Sequence, residues 1–235
     1  CLDGPLLIVA GAGSGKTKVL TSRIAHIIKK NKAFPNQILA VTFTNKAAKE
    51  MQLRVSKLLR KDATGLPWLG TFHSISAKLL RKHADAVGLK SNFSIIDQDD
   101  QVRLIKNICK AENVDIKKIS PKFILAIIDK WKNKGFYPQD VILKRKDPLE
   151  KNFLSIYKIY QEKLVNLNSA DFSDLILHTL KIFEKYADIA ELYSKKFKYI
   201  LVDEYQDTNF IQSEWLRHLS GYNLSLIHIS EPTRP

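Results

Sequence analysis

Cysteine is almost absent from this chain of 235 residues, which contains only Cys1 and Cys109. Two cysteines provide neither a disulfide framework nor a cysteine-rich zinc site. Long hydrophobic runs are also missing, because no apolar stretch approaches the roughly 18 residues of a membrane-spanning helix. The first residues lack the charged and then apolar layout of a signal peptide. These absences predict a cytoplasmic protein with no membrane partner.

Methionine and acidic residues are scarce as well. Met51 is the only methionine and the chain begins with Cys1, so we expect the natural N-terminus to be missing and the chain to be a fragment. Lys and Arg number 38 against 24 Asp and Glu, which gives a formal net charge of +14. This excess is typical of proteins that bind nucleic acid, although a lysine-rich proteome produces it without any binding.

A glycine-rich loop near the start carries the strongest chemical signal. Residues 6–17 read LLIVAGAGSGKT and precede an amphipathic stretch, which is the order of strand, loop and helix that a phosphate-binding P-loop requires. Glycines allow backbone N–H groups to converge on one anion, and the helix N-terminus adds its positive dipole. The residues predicted to bind nucleotide are Ala10, Gly11, Ala12, Gly13, Ser14, Gly15, Lys16, Thr17 and Lys18.

The chemistry of such a loop assigns two roles and calls for an acidic partner. Lys16 would reach the β- and γ-phosphates of ATP, and the Thr17 hydroxyl would bind Mg²⁺. The strict pattern begins with glycine where this chain has Ala10, which is still small enough to pass close to a phosphate. Far downstream, the apolar run YILV leads into Asp203 and Glu204. An aspartate there helps to hold Mg²⁺, and the glutamate polarises the attacking water. The sequence therefore predicts ATP and Mg²⁺ as cofactors.

Alternating strand and helix patterns predict the fold class. Short apolar runs at 38–42, 66–71 and 199–202 accompany helical periodicity at 44–59 and 72–83. This alternation is typical of an α/β fold with a mainly parallel sheet and helices on both faces. Ligands of such sheets bind at the carboxyl ends of the strands, where the glycine loop and the acidic pair both fall.

The middle of the chain, from about 101 to 167, shows helical periodicity without clear strands. Helices are predicted over 102–111, 121–134 and 149–167, with Ser120 as a cap. This segment contains fifteen Lys and Arg against seven Asp and Glu. The simplest organisation is a basic, helical insertion within the α/β domain.

Five motifs in a fixed order resemble the superfamily 1 DNA helicases of the UvrD/PcrA/Rep type. They read AGAGSGKT, AVTFTNKAAKEM, GTFHS, DFSDL and ILVDEYQDTN, and the likeness extends from about residue 4 to residue 221. Superfamily 2 helicases carry DEAD or DEAH where this chain has DEYQ, which argues against that superfamily. The resemblance implies a RecA-like P-loop NTPase domain (1A) at 1–97 and 168–222, with an inserted all-helical subdomain (1B) at 98–167.

The resemblance also implies roles at the nucleotide. Gln206 would sit beside the γ-phosphate and couple the nucleotide state to motion. Lys18 stands where relatives usually have an arginine that packs on adenine, and lysine lacks that planar face. The implied catalytic residues are Glu204, Lys16 and Gln206, and the implied metal ligands are Thr17 and Asp203.

Single-stranded DNA and single-strand/duplex junctions are the partners that the resemblance implies. The matching contact residues are Phe43, Thr44, Asn45, Thr71, Phe72 and His73. Aromatic rings stack on any base, while hydroxyls and amides hold phosphates. The structural alternatives are that Phe43 and Phe72 belong to the core and that His73 is a structural histidine. Repair or replication proteins are further partners consistent with this family.

Two other groups of residues match the family less directly. Asp171, Phe172 and Asp174 fall in a motif whose role we take as mainly architectural. The basic insertion corresponds to the subdomain that contacts the duplex ahead of the fork in relatives. Its aromatic residues either contact nucleic acid or pack helices, and they are Trp131, Phe136 and Tyr137.

The end of the chain departs from the family pattern. Relatives continue after DEYQDT with a strand and a Gly-Asp-x-x-Gln motif, whereas this chain reads NLSLIHISEPTRP. These letters resemble translated sequencing adaptor, so we expect residues 225–235 to be non-native. The alternative is a natural but divergent tail.

These observations predict an ATP-dependent DNA helicase that moves 3′→5′ on single strands in DNA repair or replication. The chain would be its ATP-binding half, and alone it would bind Mg·ATP and single-stranded DNA weakly, with little hydrolysis and no unwinding. The reason is that a second RecA-like domain supplies the arginines that stabilise the transition state. One alternative is a helicase–nuclease subunit of the RecB/AddA kind, and another is a non-motor P-loop protein that uses ATP as a switch.

Overall fold

The chain is a mixed α/β protein with parallel sheets, as seen in a computed structural model. The structure describes residues 6–9, 15–60, 65–115, 118–143, 148–220 and 226–230, with the backbone alone at 6–9, 148 and 226–230. The strands are β1 (Leu6–Val9), β2 (Ile38–Thr42), β3 (Leu69–Thr71), β4 (Ser94–Ile95), β5 (Ser169–Ala170), β6 (Tyr199–Asp203) and β7 (Leu226–Ser230). The helices are α1 (Lys16–Lys29), α2 (Asn45–Leu59), α3 (Phe72–Lys82), α4 (Gln98–Ala111), α5 (Pro121–Lys132), α6 (Pro148–Asn166), α7 (Phe172–Lys185), α8 (Ala187–Lys196) and α9 (Phe210–Ser220).

The chain divides into two compact units. Unit 1 consists of Cys1–Ile75 and Phe183–Pro235, and unit 2 consists of Ser76–Ile182. Unit 2 is therefore continuous in sequence, whereas unit 1 is assembled from both ends of the chain. The assignment of residues 98–167 to an inserted subdomain stays a prediction.

Unit 1 is organised around a five-stranded, fully parallel sheet in the order β1-β7-β6-β2-β3. Every residue of β2 and β6 is buried, as expected for a parallel sheet that is covered on both faces. The register pairs Ile38 with Tyr199 and Ala40 with Leu69. Because all strands run the same way, the segments that follow β2, β3 and β6 lie along one edge of the sheet.

Helices α1 and α2 cover one face of this sheet, with α1 on β6 and α2 on β2 and β3. α1 presents Leu20, Ile24 and Ile27 at helical spacing, and all three are fully buried. They pack with Met51 and Val55 of α2 in one hydrophobic cluster. The predicted boundaries of α2 are confirmed to within one residue.

A separate aromatic group packs elsewhere in unit 1. The ring of Trp68 meets Phe197 edge-on at 5.3 Å and Tyr193 at 6.1 Å between centroids. Trp215 of α9 is fully buried and approaches Phe183 at 6.5 Å. Helices α8 and α9, which supply Tyr193 and Trp215, contribute no described residue to the cluster under α1 and α2.

Unit 2 is built mainly from α4, α5 and α6, whose apolar faces form its core. The predicted cap of α5 is confirmed, since the Phe123 amide donates to Ser120 Oγ over 3.3 Å. The helix ends at a turn in which Gly135, with φ of 78°, donates its amide to the Lys132 carbonyl over 2.9 Å. Strands β4 and β5 pair in parallel beside the helices. Within the described ranges of the whole chain, helices long and apolar enough to cross a membrane are absent.

Candidate functional site

The candidate site begins where the glycine loop enters α1. Gly15 has φ of 90° and precedes the helix in a left-handed conformation that favours glycine. A Cβ at this position would meet no atom of the described residues within 4 Å, so the need for glycine comes from the backbone angle. The predicted loop residues Ala10, Gly11, Ala12, Gly13 and Ser14 lie outside the described residues.

Lys16 and Glu204 are brought together by the fold although 188 positions separate them in sequence. Lys16 Nζ donates to Glu204 Oε2 over 3.2 Å. The lysine side chain is 6% exposed and the glutamate side chain 34% exposed, so the pair is partly shielded from water. The sheet edge therefore unites the two predicted halves of the nucleotide site.

Glu204 occupies an unusual backbone conformation immediately after β6. Its φ of 52° is left-handed, which costs a residue other than glycine on the order of 1–2 kcal/mol. The Gln206 side chain donates from Nε2 to Glu204 Oε2 over 2.7 Å, and the Asp207 amide donates to the Glu204 carbonyl over 3.0 Å. The same carboxylate oxygen thus accepts from both Lys16 and Gln206, which fixes its position.

Asp203, the last residue of β6, presents a buried oxygen at the same edge. The residue is 4% exposed, and its Oδ1 has no hydrogen-bond donor among the described residues. Burial and the negative charge of Glu204 raise the pKa of Asp203, while Lys16 opposes the shift. A buried carboxylate oxygen without a donor is suited to bind a cation.

The remaining nucleotide residues lie in the first turn of α1. Thr17 is half-buried and Lys18 is exposed. No group of three or more His, Cys, Asp or Glu residues that could hold a metal occurs in the described part of the chain. A metal at this edge would therefore depend on Asp203, Thr17 and oxygens of a bound phosphate.

The predicted DNA residues lie at the ends of β2 and β3 or just after them, at the same edge. Phe43 is half-buried, and its ring lies 5.5 Å from that of Phe72. Phe72 is only 1% exposed and packs edge-on against Trp215 at 5.8 Å. The Phe72 ring is thus a core residue as folded, and a base could not stack on it directly. Phe43 is the more accessible of the two rings.

The polar residues predicted to bind DNA differ in their burial and in the hydrogen bonds they make within the protein. Thr44 Oγ1 accepts from the Ala47 amide over 3.1 Å and so caps α2, while Asn45 beside it is exposed. Thr71 is buried and exchanges hydrogen bonds with Ser74 at the start of α3. Burial lowers the pKa of His73, which favours the neutral imidazole.

Unit 2 contains a buried ionic cluster that sequence reasoning did not find. Lys132 Nζ lies 2.6 Å from Asp171 Oδ2 and 2.7 Å from Asp174 Oδ1, and none of the three side chains is more than 1% exposed. Tyr160 donates to Asp171 over 3.0 Å, and Gln161 donates to Asp174 over 3.0 Å. These buried contacts support the architectural role predicted for Asp171 and Asp174.

Proton affinities in the cluster follow from burial and mutual charge. Burial and the neighbouring Asp174 raise the pKa of Asp171 to about 6, although Lys132 opposes the shift. Burial would lower the pKa of Lys132, but the two carboxylates outweigh it and raise that pKa. His178 approaches Asp174, and burial lowers its pKa.

The aromatic residues of the insertion divide between packing and exposure. Trp131 stacks on Tyr157 with ring centroids 5.9 Å apart, and Tyr137 hydrogen-bonds to His178 over 2.5 Å. Phe136 is 38% exposed. Packing therefore engages two of the three rings that the sequence left open.

Comparison with known proteins identifies the family. The chain matches the UvrD/REP helicase N-terminal domain over residues 1–232. It belongs to this family. A probable DNA helicase II homolog of Rickettsia conorii is 48% identical over 222 residues, which cover 93% of this chain and 34% of that protein. The ATP-dependent DNA helicase PcrA of Staphylococcus epidermidis is 46% identical over 219 residues, covering 93% of this chain and 30% of that protein.

The region that aligns with this chain is only a part of each UvrD/REP relative. The DNA helicase II of Rickettsia typhi is 48% identical over 223 residues, again 93% of this chain and 33% of that protein. The chain thus spans about a third of the length of the curated relatives it matches.

Proposed function

We propose that this chain is the ATP-binding half of an ATP-dependent DNA helicase that moves 3′→5′ along single strands in DNA repair or replication. In this proposal, residues 1–97 and 168–222 form a RecA-like domain and residues 98–167 an inserted helical subdomain. Membership of the UvrD/REP family supports the activity, and the relatives named PcrA are described as ATP-dependent DNA helicases.

The convergence of Lys16, Asp203 and Glu204 is the observation that carries the proposal. A lysine from the glycine loop, a buried acid and a second acid at 3.2 Å from that lysine meet at the carboxyl edge of a parallel sheet. This set matches the needs of γ-phosphate hydrolysis, which requires a cation for the phosphates, a metal ligand and a group that orients water.

The residues present fit Mg·ATP. The buried Asp203 Oδ1, which has no donor among the described residues, is a candidate oxygen ligand. Thr17 would complete the protein ligands of the metal. Bound Mg²⁺ would neutralise charge on the β- and γ-phosphates.

Lys16 and Glu204 would separate as the nucleotide binds. The ammonium group turns from the carboxylate to the phosphates, because these carry more negative charge. Glu204 then keeps the hydrogen bond from Gln206, orients a water molecule and accepts its proton during attack on the γ-phosphate. Gln206, bonded to the catalytic base, is placed to link the nucleotide state to movement of the segment that follows.

Single-stranded DNA would bind at the same edge of the sheet. Phe43 offers a ring for base stacking, and Phe72 supports it from the core. Thr44 and Asn45 at the start of α2 would contact phosphates, with Thr71 and His73 beside them in the following motif. Hydroxyl and amide contacts of this kind position DNA without reading its sequence.

Titration with a fluorescent ATP analogue tests the nucleotide site in the 235-residue chain. We expect Mg²⁺-dependent binding that Lys16→Ala weakens at least about ten-fold, since a phosphate contact is lost. Lys30→Ala, at an exposed lysine just after the same helix, is the matched control and should leave binding unchanged. Equal affinity of both variants would contradict the site.

Glu204→Gln separates a motor from a binding switch. In the longer protein that carries this chain, the variant should retain ATP binding but lose DNA-stimulated turnover, because the base is gone. In a non-motor protein that uses ATP as a binding switch, Glu204→Gln would barely change nucleotide or partner binding. For the 235-residue chain alone we expect little hydrolysis and no unwinding, and robust unwinding by it would contradict the assignment as half of a motor.

A further inference from the structure

The positive charge of unit 1 is concentrated on one helical layer. Helices α1 and α2 contain eight Lys and Arg but a single acidic residue, Glu50. Helices α8 and α9 of the same unit balance three acids against three cations. An even spread of lysine through a basic chain would not produce this difference between two helical layers of one unit.

Five lysines at the end of α1 and on α2 are exposed to solvent. Lys29 and Lys30 at the end of α1, and Lys46, Lys49 and Lys57 on α2, are all exposed, and we call these five the α1–α2 basic face. The inner sides of both helices are occupied by the hydrophobic cluster on the sheet. The outer side of α2 therefore carries exposed lysines, with Leu53 and Leu58 exposed on the same helix.

This face has almost no internal compensation. Arg54 pairs with Glu50, and this is the ion pair that α2 makes within the described ranges. Lys46 and Lys49 lie three residues apart, where like charges repel, and they begin a helix without acidic residues in its first turn. By contrast, α4 opens with two aspartates, as the helix dipole prefers. An uncompensated layer of this kind is suited to bind an anionic surface.

The geometry fits a nucleic acid backbone. Lys46 and Lys57 are eleven residues apart on one helix, a rise of about 16 Å. The axes of packed helices lie about 10 Å apart, so the row of lysines on α2 and the pair at the end of α1 are able to contact separate phosphates of one backbone. The contact would be electrostatic and independent of base sequence.

Chemistry of the face favours duplex over single-stranded DNA. Neither α1 nor α2 contains Phe, Tyr or Trp, and the exposed apolar side chains on them are aliphatic: Val19, Leu53 and Leu58. Proteins that bind single strands combine cations with aromatic rings on which unpaired bases stack. In a duplex the bases are already stacked on one another, so a protein surface without aromatic rings is able to bind it through the phosphates.

We infer that the α1–α2 basic face is a duplex DNA contact, separate from the single-strand edge at Phe43. The inference goes beyond the proposed helicase activity, because it assigns a second DNA surface to the ATP-binding unit itself. The lysines of this face would bind the phosphates of the duplex, while the edge of the sheet near Phe43 binds the single strand.

A pair of triple variants tests this surface. The face variant is Lys29→Gln/Lys49→Gln/Lys57→Gln, and the control is Lys185→Gln/Lys195→Gln/Lys198→Gln. Both remove three exposed positive charges from unit 1. Circular dichroism and thermal unfolding should show that both variants fold as the parent does, because glutamine is a good helix former.

Fluorescence anisotropy measures binding of the 235-residue chain to a blunt duplex of about 20 base pairs and to oligo-dT of matched length, from about 50 to 200 mM salt. The face variant should bind duplex at least about ten-fold more weakly at low salt, with a log–log salt slope shallower by about 2 to 3. Its affinity for oligo-dT should change less than about two-fold, and the control should change neither.

Two results would overturn the inference. One is an equal loss of duplex affinity in both triple variants, which would show a general charge effect. The second uses poly-glutamate as an anionic probe that mimics an acidic protein. If the face variant binds duplex as the parent does but loses binding to poly-glutamate, the face contacts an acidic protein partner instead. ATP binding is measured in parallel, because the face variant should retain it. A failed duplex test is thereby distinguished from a failed nucleotide site.

Discussion

Two lysine–carboxylate clusters in this molecule use the same chemistry for opposite purposes. In unit 2, Lys132 is fully buried between Asp171 and Asp174, and further hydrogen bonds satisfy both carboxylates. In unit 1, Lys16 pairs with Glu204, whose side chain is one-third exposed. A buried pair that loses a partner leaves an uncompensated charge, whereas an exposed partner is rehydrated. Burial therefore separates an ion pair that must stay closed from one that is able to open.

Removing the buried cation should have the largest effect. We expect Lys132→Met to lower the free energy of unfolding by about 3–5 kcal/mol, because two buried carboxylates lose their counter-charge. Urea unfolding measures this loss. Lys130→Met, at an exposed position on the same helix, is the control and should change stability by less than about 0.5 kcal/mol. Similar losses in both variants would show that the cluster is not a stabilising centre.

Loss of one hydrogen bond within the cluster should cost less. Tyr160→Phe keeps the ring in its fully buried position and removes only the hydroxyl that donates to Asp171. The expected loss is about 1–2 kcal/mol, the usual cost of leaving a charged acceptor one donor short. Trp131→Phe, which changes packing without touching the carboxylates, provides a comparison. A neutral Tyr160→Phe result would contradict the dependence of Asp171 on this donor.

The cluster should also make stability depend on pH through His178. Burial lowers the pKa of His178 in the folded state from 6.5, an effect that Asp174 opposes and Lys132 reinforces. The unfolded chain therefore takes up a proton first as the pH falls through 6.5, and the contribution of His178 to stability is lost below that pH. As the pH falls from about 7.5 to 5.5, the parent should lose more stability than His178→Gln does, as measured by urea unfolding at each pH. Parallel losses would contradict this assignment.

The smallest effect on stability is expected at the nucleotide site. Lys16→Ala should change the free energy of unfolding by less than about 1 kcal/mol, because Glu204 keeps the donor from Gln206 and access to water. The same variant is expected to abolish most ATP binding. A loss as large as that of Lys132→Met would show that the two clusters do not differ in the way proposed.

Periodicity and motif spacing predicted several helices and strands, but not β4, β5, β7, α7 or α8. Apolar runs identified β2 and β6, and the Ser120 cap and the start of α5 were found from residue type alone, since such signals are local. The order of the strands was not predictable in this way. Pairing of β2 with β6 joins segments 157 or more residues apart, and no local pattern records which strand becomes a neighbour.

Burial of individual side chains was the other property that sequence left open. Lys132 lies in the run KWKNK and appears there as one of several solvated lysines, yet it is fully buried. Phe43 and Phe72 occupy similar places in their motifs, but only Phe72 is enclosed by the core. Such outcomes depend on neighbours from distant segments, so residue type alone does not decide them.

The division of unit 1 between the two ends of the chain has a consequence during synthesis. Unit 2 leaves the ribosome in one piece and is able to fold while the chain is still growing. Strand β2 is made early but must wait for β6, about 160 residues later, before its second edge is paired. An apolar strand edge is thus exposed throughout the synthesis of unit 2, and this interval is where chaperone binding or aggregation of the nascent protein would compete with folding.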